Sequence, residues 1–98
     1  MQPGDVNNTG SIRTTEPVMT LINEEEFFLI LTELPGIAEE SIKIELENHT
    51  NSITIIASDT KVHYKKVIII PCDVKLSKKR FSDGVLEISL KKLDPDTP

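Results

Sequence analysis

Ninety-eight residues suffice for one domain with one modest core, which at this size buries roughly 60–65% of the unfolded surface. Eleven Lys and Arg face sixteen Asp and Glu, a formal net charge of −5. The chain therefore lacks the basic face that phosphate binding needs, and no nucleic-acid binding is expected. No apolar run reaches the length of a membrane helix, about 18 residues, and the lone cysteine, Cys72, excludes an intrachain disulfide and fits a reducing cytoplasm.

Residues 1–16 are rich in Asn, Thr, Gly, Gln and Asp, with Val6 and Ile12 as isolated aliphatics. Too little can be buried there to offset ordering entropy, so a flexible N-terminal arm is expected. It has no apolar segment of the kind a secretion signal needs. Residues 94–98, Asp-Pro-Asp-Thr-Pro, form a second expected flexible end. The folded unit is expected over 17–93.

Within that unit apolar and polar residues alternate with period two. Residues 18–22 predict a strand, followed by a charged turn at Asn23, Glu24, Glu25 and Glu26. Residues 27–33 predict a second strand, apolar on both faces at its start and hence central or covered. Leu34-Pro35-Gly36 stops it. Proline pre-sets φ for the first turn position and glycine supplies positive φ at the next, which is type II turn chemistry. Residues 38–41 suit one helical turn. Ile42, Ile44 and Leu46 then alternate with Lys43, Glu45 and Glu47 as a half-buried strand.

A hairpin loop at 48–51 leads to a returning strand over 52–58, with Ile53, Ile55 and Ala57 inward. A short link at 59–63 precedes a strand over 64–70. Its apolar run Val67-Ile68-Ile69-Ile70 reads as buried, with Lys65, Lys66 and Pro71 as gatekeepers against aggregation. Residues 76–82 carry the basic cluster of Lys78, Lys79 and Arg80 with Lys75 just before it, which suits an edge strand protected by its charges. Asp83-Gly84 predicts a tight hairpin turn. The last strand spans 85–91, with Leu86, Ile88 and Leu90 on the core face. Seven short strands at regular spacing predict an all-β, antiparallel, immunoglobulin-like sandwich.

Chemistry-bearing patterns are sparse. His49 and His63 fall in predicted turns, and one cysteine without paired His or Cys spacing supplies no zinc site. Cys72 reads as a partly buried structural thiol. No serine stands on a nucleophile elbow and no glycine-rich loop is set to cradle phosphate. Neither an enzyme nor a cofactor is expected.

The order of elements resembles the α-crystallin domain of the small heat-shock proteins. The matching residues are Glu33-Leu34-Pro35-Gly36-Ile37, Ser41-Ile42-Lys43-Ile44, Ile53-Thr54-Ile55, Ile70-Pro71, and Phe81-Ser82-Asp83-Gly84-Val85-Leu86-Glu87-Ile88. The resemblance covers nearly all of 17–93. It implies an ATP-independent holdase of the stress response that binds partly unfolded proteins. It also implies a client or peptide groove between two edge strands, with Ile42, Ile44 and Leu46 on one side and Leu76 and Phe81 on the other.

Three departures from the family pattern stand out. The long loop that in many microbial members carries a strand swapped into a partner is reduced to 59–63. The tail lacks the Ile-x-Ile/Val segment that links dimers. The small alanine of the groove is Lys79. A monomer or weak dimer is therefore expected rather than a large shell. The co-chaperone family of CS domains shares the sandwich without the swapping strand. This leaves a non-assembling adaptor as the alternative function.

Overall fold

The alternation becomes eight strands in the computed structural model, which describes residues 13–93. Residues 1–12 and 94–98 lie outside the described residues, and with them most of the expected N-terminal arm and the whole expected tail. The strands are β1 (Arg13–Thr15), β2 (Met19–Asn23), β3 (Phe27–Glu33), β4 (Lys43–Glu47), β5 (Ser52–Ser58), β6 (Val62–Ile69), β7 (Val74–Ser82) and β8 (Val85–Lys92). A single 3-10 turn, Glu39–Ser41, precedes β4. Two four-stranded sheets result, with strand orders β1-β6-β5-β4 and β2-β3-β8-β7.

Seven of these strands answer to the seven read from the alternation. The eighth, β1, falls in the stretch expected to be a flexible arm. It pairs in parallel with the start of β6, Arg13 with Val62 and Thr15 with Tyr64. The Glu16 carboxylate then meets the Lys66 ammonium at 3.1 Å. A three-residue parallel pairing leaves no hydrophobic period to read, which is why β1 is invisible in the composition.

The core lies between the sheets, where each strand contributes every second side chain. Ile30 and Phe28 of β3, Leu86, Ile88 and Leu90 of β8, and Ile53, Ile55 and Ala57 of β5 are buried. As expected, β3 is central, flanked by β2 and β8. The apolar run at 67–70 departs from its expectation. Ile68 and Ile70 are buried, but Val67 is 49% and Ile69 68% exposed, because the strand keeps its alternation and only one face meets the core.

The two turn signatures, far apart in sequence, meet in space. Gly36 sits at φ 76° and the Ile37 amide donates to the Leu34 carbonyl at 3.3 Å, closing the turn that proline and glycine predict. Asp83 and Gly84 both adopt positive φ, 53° and 78°, as a two-residue hairpin with the twist of its strands requires. The Leu34 amide donates to the Gly84 carbonyl at 2.7 Å. A Cβ on Gly84 would lie 3.5 Å from the Pro35 backbone. The signatures are thus one structural unit joining the start of β8 to the end of β3.

The link between β5 and β6 is shorter than expected, only 59–61. Asp59 organises it: its Oδ1 accepts from the Lys61 amide at 2.7 Å and the Val62 amide at 2.8 Å. These two bonds hold the carboxyl below its ordinary value of 3.8. A depressed folded-state pKa contributes stability above the unfolded value and loses it as pH falls through the folded one. The Lys61 and Val62 amides should therefore be protected from hydrogen exchange at neutral pH and lose that protection at acid pH. Asp59→Ala should remove the protection at every pH while amides of β3 and β8 stay protected. Protection independent of Asp59 would show that the strands alone hold the link.

Candidate functional site

Each sheet ends on one side in an edge strand, β4 in one and β7 in the other. A side chain from the β4–β5 loop ties these edges together. Asn48 donates through Nδ2 to the Val74 carbonyl at 3.2 Å and accepts through Oδ1 from the Val74 amide at 3.3 Å. The opposite side of the sandwich is crossed by the chain between β1 and β2, with Pro17 buried there.

On β4 the pairing of Ile44 with Ile55 and Leu46 with Ile53 turns both inward. They are half-buried and pack against the core, while Lys43, Glu45 and Glu47 face solvent. Ile42, just before the strand, is buried. These residues line the inner face of the β4 edge, but Ile42 is closed off as core.

Leu76 and Phe81 are five positions apart, an odd number. In an unbroken strand they would point to opposite faces. The structure resolves this with a bulge between Leu76 and Lys78 that inserts Ser77 as an extra residue. Leu76 then pairs with Leu90, Lys79 with Ile88 and Phe81 with Leu86. All three β8 partners are fully buried and inward. Leu76, Lys79 and Phe81 therefore share the inner face, while Lys75, Lys78 and Arg80 share the outer one. Leu76 is 44% exposed and Phe81 half-buried. The structure thus brings Ile44, Leu46, Leu76 and Phe81 to the inner faces of two edges on the same side. Lys79, which the resemblance puts in place of the groove's small alanine, lies between them: alternation sets it on the face of Phe81, and the bulge adds Leu76 to that face.

Several of the other charges are engaged elsewhere. Arg80 and Glu87 approach to 3.9 Å across the outer face. The acidic turn after β2 is held by β8. Lys91 meets Glu26 at 3.0 Å, and Lys92 donates to Asn23 Oδ1 at 2.6 Å and to the Glu24 carbonyl at 2.7 Å. The same ammonium groups lie over Phe27 and Phe28, 5.1 and 4.6 Å from the ring centres. Beside this turn lies a hollow of about 630 Å3 lined in part by Cys72, Lys75 and Leu93. Among the described residues no helix is long and apolar enough to cross a membrane.

No family model and no curated protein matches the sequence. Solved structures do match. Heat shock protein 16.0 from Schizosaccharomyces pombe aligns with a TM-score of 0.69 at 18% identity, over 81% of this chain and 88% of the other. HSP18.5 from E. histolytica aligns with a TM-score of 0.68 at 20% identity, over 86% and 94%. A small heat-shock protein from Xylella fastidiosa aligns with a TM-score of 0.69 at 18% identity, over 84% and 90%. At these identities the likeness establishes architecture, and the fold of this chain is the α-crystallin β-sandwich of the small heat-shock proteins.

Proposed function

We propose that this domain is an ATP-independent holdase that binds partly unfolded proteins along the β4–β7 side, with no catalytic role. The observation that carries this reading is the bulge at Ser77. It costs β7 a regular ladder, yet it gathers Leu76 and Phe81 on the inner face of an edge that no described strand pairs, on the same side as Ile44 and Leu46. Apolar side chains beside unpaired backbone groups suit an extended apolar segment, which supplies main-chain hydrogen bonds and side-chain contacts together. The fold shared with small heat-shock proteins supports the same role. The lone thiol of Cys72, half-exposed and unpaired with another cysteine, suits a reducing cytoplasm.

The three-residue link after β5 favours a monomer or weak dimer, since 59–61 has no length to reach a partner. The adaptor reading rests on this same observation.

Two measurements test the proposal. The protein near equimolar ratio should suppress most of the light scattering of reduced insulin. Leu76→Asp should lose that protection while keeping its thermal transition, since Leu76 is exposed. Failure at several-fold excess would refute the holdase and leave the adaptor. Multi-angle light scattering should give one or two chain masses. A stable shell of about a dozen subunits or more would refute the assembly state.

A further inference from the structure

An edge strand carrying Lys75, Lys78, Lys79 and Arg80 has no acidic residue of its own. Three of the four cations lie on the outer face, where edge lysines commonly discourage pairing. Lys79 differs. Its pairing with the buried Ile88 places it on the inner face, between Leu76 and Phe81. Lys79 is exposed at the rim of that face, so water satisfies its charge and leaves it available to a partner, and the fold offers a contrast. Lys66 on β6 also sits on an inner face, opposite Ile55, and there Glu16 meets it at 3.1 Å. Lys79 makes no ion pair among the described residues.

The three inner positions follow consecutive steps of β8, at Leu90, Ile88 and Leu86. Each step spans two residues, about 6.6–6.8 Å. An extended segment laid along β7 turns every second side chain toward the same face. Its side chains would meet Leu76, then Lys79, then Phe81.

We propose that the β4–β7 edge selects extended segments of the pattern aliphatic-x-Asp/Glu-x-aliphatic, with Lys79 as the residue that sets the specificity. This rests on the reading of that edge as the client-binding site. The two aliphatic side chains rest on Leu76 and Phe81, and the central carboxylate meets the Lys79 ammonium at the rim. Partial removal of water strengthens that pair relative to a fully exposed one. The outer cations add a general attraction for acidic segments and a faster encounter, without choosing the position of the charge.

Fluorescence anisotropy with two labelled peptides tests this: Ser-Ile-Thr-Glu-Thr-Ile-Ser and its counterpart with Gln for Glu. The Glu peptide should bind the full chain about three- to fivefold tighter at low salt, the range of an incompletely buried ion pair. Lys79→Gln should abolish that preference, and Lys78→Gln should retain it. Equal binding of both peptides to the unsubstituted protein would overturn the inference and leave the groove intact. Equal loss of preference in Lys78→Gln would overturn it in favour of a diffuse field. Tighter binding of both peptides to Lys79→Gln would overturn it by making Lys79 a guard against edge pairing. Binding of neither peptide would overturn the groove reading and this inference with it.

Discussion

Leu34→Ala should destabilise the domain by about 2–5 kcal/mol, the cost of emptying a leucine site in a core that cannot fully collapse. Leu34 belongs to no strand, yet it is wholly buried. Its amide is bonded to the Gly84 carbonyl, so the backbone there is held and cannot easily move in to fill the space. A domain of this size has on the order of 5–15 kcal/mol in total, so this loss is a large part of it. Urea denaturation should show the midpoint falling by about 1–3 M at an unchanged slope of roughly 1.5 kcal/mol per M. Ile69→Ala is the matched control. That side chain is 68% exposed, and its removal should change stability by only about 0.5 kcal/mol. Equal losses in the two variants would mean that Ile69 is buried in solution, against a second copy of the chain.

Thr32→Val should stabilise the protein. Thr32 is fully buried on β3, between Met19 of β2 and Leu86 of β8 in the register. Its hydroxyl has no hydrogen-bond partner among the described residues. An orphaned hydroxyl in an apolar core costs about 1–3 kcal/mol. Valine keeps the branched shape and removes the polar atom. A gain of about 1 kcal/mol corresponds to a rise in melting temperature of about 4–8 °C for a domain near this size, readable by calorimetry. A fall would show that the hydroxyl does find a carbonyl, through a rotation about χ1. Thr32→Ser is the control for the lost methyl alone: it keeps the hydroxyl and should destabilise in either case.

Much of the architecture was readable in the chain because it depends on local chemistry. Ile42-Lys43-Ile44-Glu45-Leu46-Glu47 can hide its apolar set only as a strand with one face inward. Pro35-Gly36 and Asp83-Gly84 carry the φ requirements of their turns in their own side chains or lack of them. Three features were not readable. The parallel strand Arg13–Thr15 exists because β6 offers an unpaired edge beside it, and nothing in Arg-Thr-Thr announces that partner. The exposure of Val67 and Ile69 depends on what covers the outer face of their sheet, and four apolar residues in a row look the same whether one face is buried or both. The bulge at Ser77 changes the face of every later residue of β7, and its place is set by the pairing with β8.

The candidate site divides along the same line. Ile44 and Leu46 follow from alternation alone. Leu76 and Phe81 came from a resemblance that simple alternation contradicts, and the bulge is what reconciles them. The resemblance implies Ile42 in the groove, but it lies in the core, directly after the turn at Glu39–Ser41 and before β4 begins. Lys79 stands where the family pattern has a small alanine. Its register puts it on the inner face between two apolar neighbours.

By itself, then, the sequence determined the all-β class, the positions of seven strands and the two turns that join β3 to β8, since periodicity and turn preference act over a few residues. Only the tertiary structure decided which strands end as open edges, which side of the sandwich β1 closes, and which face each residue of β7 presents. Those outcomes depend on pairing between distant strands, where a one-residue shift in register reverses every side chain beyond it.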